Sequence, residues 1–177
     1  MVRSHDRQRV VGPMTGVVVQ INISRGGVPK RAISSAVITP LGVEGDGWAH
    51  PQIHGGPQKA LLLMASEDIE ELRSLGYPVF HGALGENLTT RGLDFRQLRV
   101  GHVLQVGQVV IEVTKVREPC STLAVYGESL AREIYDSQVK AGDPASPKWG
   151  KSGFYASVIR PGPIHPGDII TLLAAAA

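Results

Sequence analysis

Only one cysteine, Cys120, occurs in the 177 residues. That excludes an intramolecular disulfide and any zinc or iron–sulfur site assembled from several thiolates, and it favours a reducing compartment. Aromatic residues make up just 5%, few for a surface that stacks single-stranded bases on rings. Neither sign of charge dominates. Eighteen Lys and Arg face 16 Asp and Glu, for a net charge of +2, so a pI near 8.8 carries no strong drive toward nucleic acid. The fully apolar run Ala60 to Ala65, exceeded by no other, falls far short of the roughly 20 residues that span a bilayer. The segment Met1 to Pro13 is polar and basic, with no apolar stretch of a leader peptide after it. A cytoplasmic protein with neither nucleic-acid nor membrane partners is expected.

What the chain has in excess is glycine and proline, 21 and 12 residues. Together they exceed the usual share of roughly 12% and favour many turns between short strands. Strands are expected at Gly16–Ile23, rich in β-branched residues, at Ala36–Thr39 and at Lys59–Met64. Val103–Val106 and Val109–Val116 read as a hairpin joined at Gly107-Gln108, and Phe154–Ile159 and Asp168–Leu173 read as closing strands around a Pro161-Gly162-Pro163 turn. One helix is expected to start with Ser66 as its cap, to bury Ile69, Leu72 and Leu75, and to stop at Gly76. A second is expected over Glu128–Lys140. The pattern is mainly β, an α+β chain folded as a barrel or a highly curved sheet with a few short helices. It divides into a lead segment at 1–15, one domain at 16–173 and a tail at 174–177.

Chemistry concentrates around the cysteine, in Val116-Arg117-Glu118-Pro119-Cys120-Ser121-Thr122. A solitary cysteine is more often an inert buried side chain. Here Arg117, and with it Lys115, can stabilise a thiolate, and Pro119 stiffens the approach to the sulfur. A thiolate of this kind attacks electrophiles or binds a soft metal, which must bring most of its own ligands because no second cysteine exists. Two upstream segments echo each other: Gly26-Gly27-Val28-Pro29-Lys30 and His54-Gly55-Gly56-Pro57-Gln58-Lys59. Neither is the phosphate loop of nucleotide hydrolases, and either alone can be a tight turn. Each nevertheless presents backbone N–H groups and a lysine that suit a phosphate. His50 and His54 have zinc-like spacing, but Pro51 and Gly55-Gly56 oppose the helix such a site needs. In Gly85-Glu86-Asn87-Leu88, the polar residues either satisfy a turn or line a cleft, and spacing does not separate the two.

Gly45-Asp46, His54-Gly55-Gly56-Pro57-Gln58-Lys59-Ala60, Gly85-Glu86-Asn87-Leu88 and Arg117-Glu118-Pro119-Cys120 occur in the order seen in the MOSC domain, which is named after the C-terminal part of molybdenum cofactor sulfurases. The chain resembles the small stand-alone bacterial branch over Gly16–Leu173. Gly26 to Lys30 and the closing Gly153-Phe154-Tyr155-Ala156 and Pro166-Gly167-Asp168 add to the resemblance. Gly101-His102, where Gly-Asp is expected, departs from it at a turn.

The resemblance implies a MOSC-type β-barrel whose cysteine ligates molybdenum or carries sulfur. It implies a molybdenum-dependent oxidoreductase that reduces N-hydroxylated compounds, or alternatively a carrier that passes on the molybdenum cofactor or a persulfide without turnover. A redox-sensing thiol on a ligand-binding barrel is a third reading. In the first, Cys120 is the metal ligand and catalytic together with His54 and Glu86. Lys30, Gly55, Gly56, Lys59, Asn87 and Arg117 then hold the molybdopterin. No pyridoxal phosphate of its own is expected. The implied partners are a small-molecule substrate and a separate electron-donor protein or cysteine desulfurase.

Overall fold

A computed structural model describes residues 13–47 and 55–174. Its framework is a closed ring of strands. Around the wall run β1 (Thr15–Ile23), β6 (Leu88–Arg91), β5 (Leu61–Ala65), β9 (Phe154–Arg160), β8 (Val109–Val116), β7 (Val103–Val106) and β11 (Ile169–Ala174), and β11 pairs back onto β1. The short β2 (Arg31–Ile33) continues from the far half of β1. A separate three-stranded sheet joins β10 (Gly162–Ile164), β3 (Ala36–Thr39) and β4 (Gly42–Val43).

Closure follows from local irregularities. β1 shifts register between Val18 and Gln20, so its first residues pair with β11 and its last with β2. β8 shifts register twice against β9. Such bulges add twist and bend a sheet toward a ring. Every wall pairing is antiparallel except β5 with β6. A parallel pair needs a crossover, and the helix α1 (Ser66–Ser74) supplies it.

β5 is buried along its whole length because both of its faces are covered. Leu61, Leu63 and Ala65 point into the barrel with Ile21, Ile111, Phe154 and Ala156. Met64 points outward into a second core with Ile69 and Leu72 of α1, Ala83, Leu84, Leu123, and Leu130 and Ile134 of α2 (Leu130–Ile134). Burying each of these large side chains contributes roughly 1.5–3 kcal/mol. The second core fixes the helices and the loop at 77–87 against the outside of the wall, where the site lies.

The hairpin at Gly107-Gln108 forms where its sequence places it, and Gly76, at φ 96°, ends α1. Four expectations need correction. Ser66 is the first residue of α1 and not its cap; its hydroxyl bonds Glu70 within the helix. Leu75 lies past the last helical turn and is 58% exposed, so the buried stripe ends at Leu72. The helix expected over 128–140 is two short ones, α2 and α3 (Ser137–Lys140). Asp136 breaks it by turning extended and capping Val139 N at 2.8 Å. Pro161-Gly162-Pro163 is no simple turn, since Gly162 opens β10 and pairs with Ile38.

Candidate functional site

Outside the wall, where β5 and β9 meet the loop after β8, a cleft encloses about 90 Å³. Its floor is Leu62 and Tyr155, the outward residues of two strands whose neighbours Leu61, Leu63, Phe154 and Ala156 fill the barrel. Strand alternation therefore aims Tyr155 at the site. Lys59 closes one side from a 3-10 turn at Pro57–Lys59, its ammonium 5.5 Å from the Tyr155 ring centre. Gly27, Gly47, Gly55 and Gly85 form much of the rim. Gly55 and Gly85 adopt φ near +88° and +89°, a backbone region that side chains other than glycine rarely enter.

Arg117 and Cys120 supply the reactive side. At the end of β8 the backbone is clamped: Arg117 N donates to Gly153 O at 2.9 Å, and Ser152 Oγ donates to Arg117 O at 2.6 Å. This turns the guanidinium inward, where it is buried and donates to Leu84 O at 2.9 Å and Ser152 O at 3.4 Å. Burial pulls its pKa down, opposed by the nearby Tyr155, Cys120 and Glu86. Among the described residues Arg117 forms no ion pair. Cys120 is half-buried on the cleft wall, its Sγ 2.7 Å from Thr122 Oγ1. Burial raises the Tyr155 pKa, which Arg117 opposes and Cys120 reinforces, so the phenol keeps its proton and can donate it.

The structure thus brings Cys120, Arg117, Lys59, Gly55, Lys30 and Asn87 to one cavity, but two of these residues are committed elsewhere. Lys30 Nζ contacts both carboxylate oxygens of Asp46 at 2.6 Å, so its charge is neutralised before any ligand arrives. Asn87 ties the wall together. It accepts from Leu62 N at 3.0 Å and donates to Asp46 Oδ2 at 2.8 Å, while its backbone bonds Leu62 and Asn22. Gly56 is not on the cleft; its carbonyl accepts from Lys59 N at 3.0 Å and shapes the turn. Lys115 is exposed and stands apart.

Glu86 is turned away from the cleft. It is fully buried, with Oε1 accepting from Gly82 N at 2.6 Å and from Thr89 Oγ1 at 3.0 Å, and Oε2 without a partner among the described residues. Burial pushes its pKa up. Its hydrogen bonds hold the loop at 82–89, and it is not among the residues that line the cleft. His50 and His54 lie outside the described residues. Among the described residues no three His, Cys, Asp or Glu side chains form a metal-ligand group, and no helix is long and apolar enough to cross a membrane.

Sequence reading missed Asp46 as the partner of Lys30, together with Tyr155 and Thr122. Tyr155 was legible in principle, as the one large polar side chain between the core-facing Phe154 and Ala156. Asp46 was not, because its role depends on a bend that brings it to a lysine 16 residues away.

Comparison with known proteins agrees with this fold. Residues 50–171 match the family model described as the MOSC domain. The chain is 34% identical over 154 residues to the YflK protein of Bacillus subtilis, covering 84% of this chain and 63% of that one. It is 32% identical over 138 residues to YiiM of Escherichia coli, covering 72% and 54%. A protein of Gibberella moniliformis named a reductase is 26% identical over 183 residues, covering 91% of this chain and 30% of its own length. The chain therefore spans less than two thirds of these relatives. Among solved structures, YiiM of Geobacillus stearothermophilus superposes with a TM-score of 0.68 at 25% identity, covering 90% of this chain and 75% of that one.

Proposed function

This chain belongs to the MOSC domain family, and within that family we propose that it binds a molybdenum cofactor in the Cys120 cleft and reduces N-hydroxylated compounds. One observation carries the reading: a buried guanidinium, Arg117, lines the same cleft as the only thiol of the chain and, among the described residues, forms no ion pair. A cation in that position suits an anionic ligand seated against the sulfur.

The residues fit such a group. One thiolate is enough for a metal that brings sulfur ligands of its own. Lys59, the remaining N–H groups of Arg117 and the glycine rim suit a pterin phosphate. Lys30, held by Asp46, shapes the cleft and supplies little charge. When bound, the cofactor would supply a two-electron redox couple. The chain's own work is to fix the sulfur through Thr122, to keep positive potential around it, and to offer the Tyr155 hydroxyl as a donor to a substrate oxygen. Reducing an N–OH group breaks its N–O bond and releases water, which takes two protons and two electrons, the latter from a separate donor protein. The relative named a reductase is in keeping with this chemistry.

A second reading has its own support. Among the described residues lining the cleft there is no carboxylate and no histidine, which suits a carrier that holds cofactor or a Cys120 persulfide and hands it on.

The test is expression in cells supplied with molybdate, followed by metal analysis and pterin fluorescence after oxidation. Molybdenum and pterin near one per chain, lost in Cys120→Ala, are expected. Turnover of a hydroxylamine with an artificial electron donor then separates enzyme from carrier. Folded protein without either signal would sink the proposal.

A further inference from the structure

A second recess of about 380 Å³ opens beside the cleft, walled by Gln20, Lys30, Arg31, Arg73, Phe80 and His81. Lys30 lines both cavities, so they stand back to back. The second volume falls within the roughly 300–1,000 Å³ of small-molecule sites.

Its charge is positive and unspent. The Lys30 ammonium is taken by Asp46. His81 is held by Ser66 Oγ at 2.9 Å, and burial keeps it toward its neutral form. Arg31 and Arg73 remain. Among the described residues neither guanidinium forms an ion pair or donates a hydrogen bond. The Arg31 guanidinium lies 5.1 Å from the centre of the Phe80 ring, and that ring packs edge-on against Tyr126 at 6.5 Å. Stacking on an aromatic face holds a guanidinium while leaving its N–H edge available for a two-pronged grip on phosphate.

The geometry points to this recess as a second ligand site, taking a phosphate-bearing small molecule between Arg31 and Arg73 with Phe80 as its apolar wall. Free phosphate and a phosphate ester share this chemistry, and they differ in how much of the Phe80 wall they cover. The site does not depend on what fills the Cys120 cleft.

Calorimetric titration of the full chain with AMP, inorganic phosphate and adenosine tests it. Saturable binding of AMP, of phosphate or of both is expected, with adenosine silent. Tighter AMP binding identifies an ester as the ligand, and equal binding identifies free phosphate. Arg31→Gln and Arg73→Gln, both at exposed positions, should each weaken binding about tenfold or more, whereas Arg160→Gln, at the hairpin end of the barrel, should not. Absence of binding by AMP and phosphate alike would overturn the inference. So would binding that survives both arginine changes and disappears in Lys59→Gln, because that would place the anion in the first cleft.

Discussion

Lys30 and Asp46 form a sealed ion pair, with Nζ 2.6 Å from either carboxylate oxygen and the two side chains only 8% and 4% exposed. The pair is lopsided. Asp46 also accepts from Ser24 N at 2.9 Å and Asn87 Nδ2 at 2.8 Å. Among the described residues Lys30 Nζ has besides it only Gly47 O, at 3.5 Å.

Removing the acid should therefore cost more than removing the base. Asp46→Ala leaves a buried ammonium nearly bare and should destabilise by about 3–5 kcal/mol. Lys30→Met leaves a carboxylate with two donors and should cost about 1–3 kcal/mol. Urea unfolding of both variants checks the order, and equal losses would contradict this account.

Glu86 makes stability depend on pH. Its carboxyl pKa is raised above the ordinary value of 4.5 by burial, so the folded state retains the proton that the unfolded state gives up. The stability this contributes is full below 4.5 and drains away as pH rises toward the folded value. Glu86→Gln cannot ionise, so the gap between variant and wild type should move steadily in the variant's favour with rising pH. Unfolding midpoints across that range measure it. A constant gap would mean that Glu86 is not proton-linked.

Cys120 should react with iodoacetamide in the native protein, since its sulfur lines an open cleft. The Thr122 hydroxyl, 2.7 Å away, can donate to the thiolate, and hydrogen bonds to charged groups contribute about 1.5–3 kcal/mol, less where water competes. Thr122→Val should slow alkylation about three- to tenfold at neutral pH. A faster reaction would show that the hydroxyl accepts from the thiol instead.

Two glycines of nearly equal φ separate backbone strain from close approach. Gly76, at φ +96°, has open space where a Cβ would go, whereas at Gly82, at φ +95°, it would meet Lys30 O at 2.3 Å. Gly76→Ala should cost about 1–2 kcal/mol, the left-handed penalty alone. Gly82→Ala must also push the Lys30 backbone outward, just before β2, and should cost at least about 2 kcal/mol more. Thermal denaturation distinguishes them.

The sequence made some of this legible and hid the rest for physical reasons. Val109 to Val116 alternates cleanly and Gly107-Gln108 turns tightly, so that hairpin could be read. β6, Leu-Thr-Thr-Arg, has no apolar run of its own and is a strand because β5 and β1 flank it. β2, β4 and β10 are too short to carry a period. In the site, Cys120 and Arg117 announced themselves by proximity in sequence. Glu86 and Asn87 are neighbours with opposite fates, and only the direction of the wall decides which one faces the cleft.

The seam between β1 and β11, where Thr15 stands across from Thr171, gives the wall no lateral rim. A chain trimmed of Ile169–Ala174 would lose more than one strand's worth of packing. It would become an open ribbon with β1 and β7 baring unsatisfied amides on opposite flanks, and such flanks recruit one another. Truncation at this seam should show itself first as filaments or precipitate, before any loss of secondary structure.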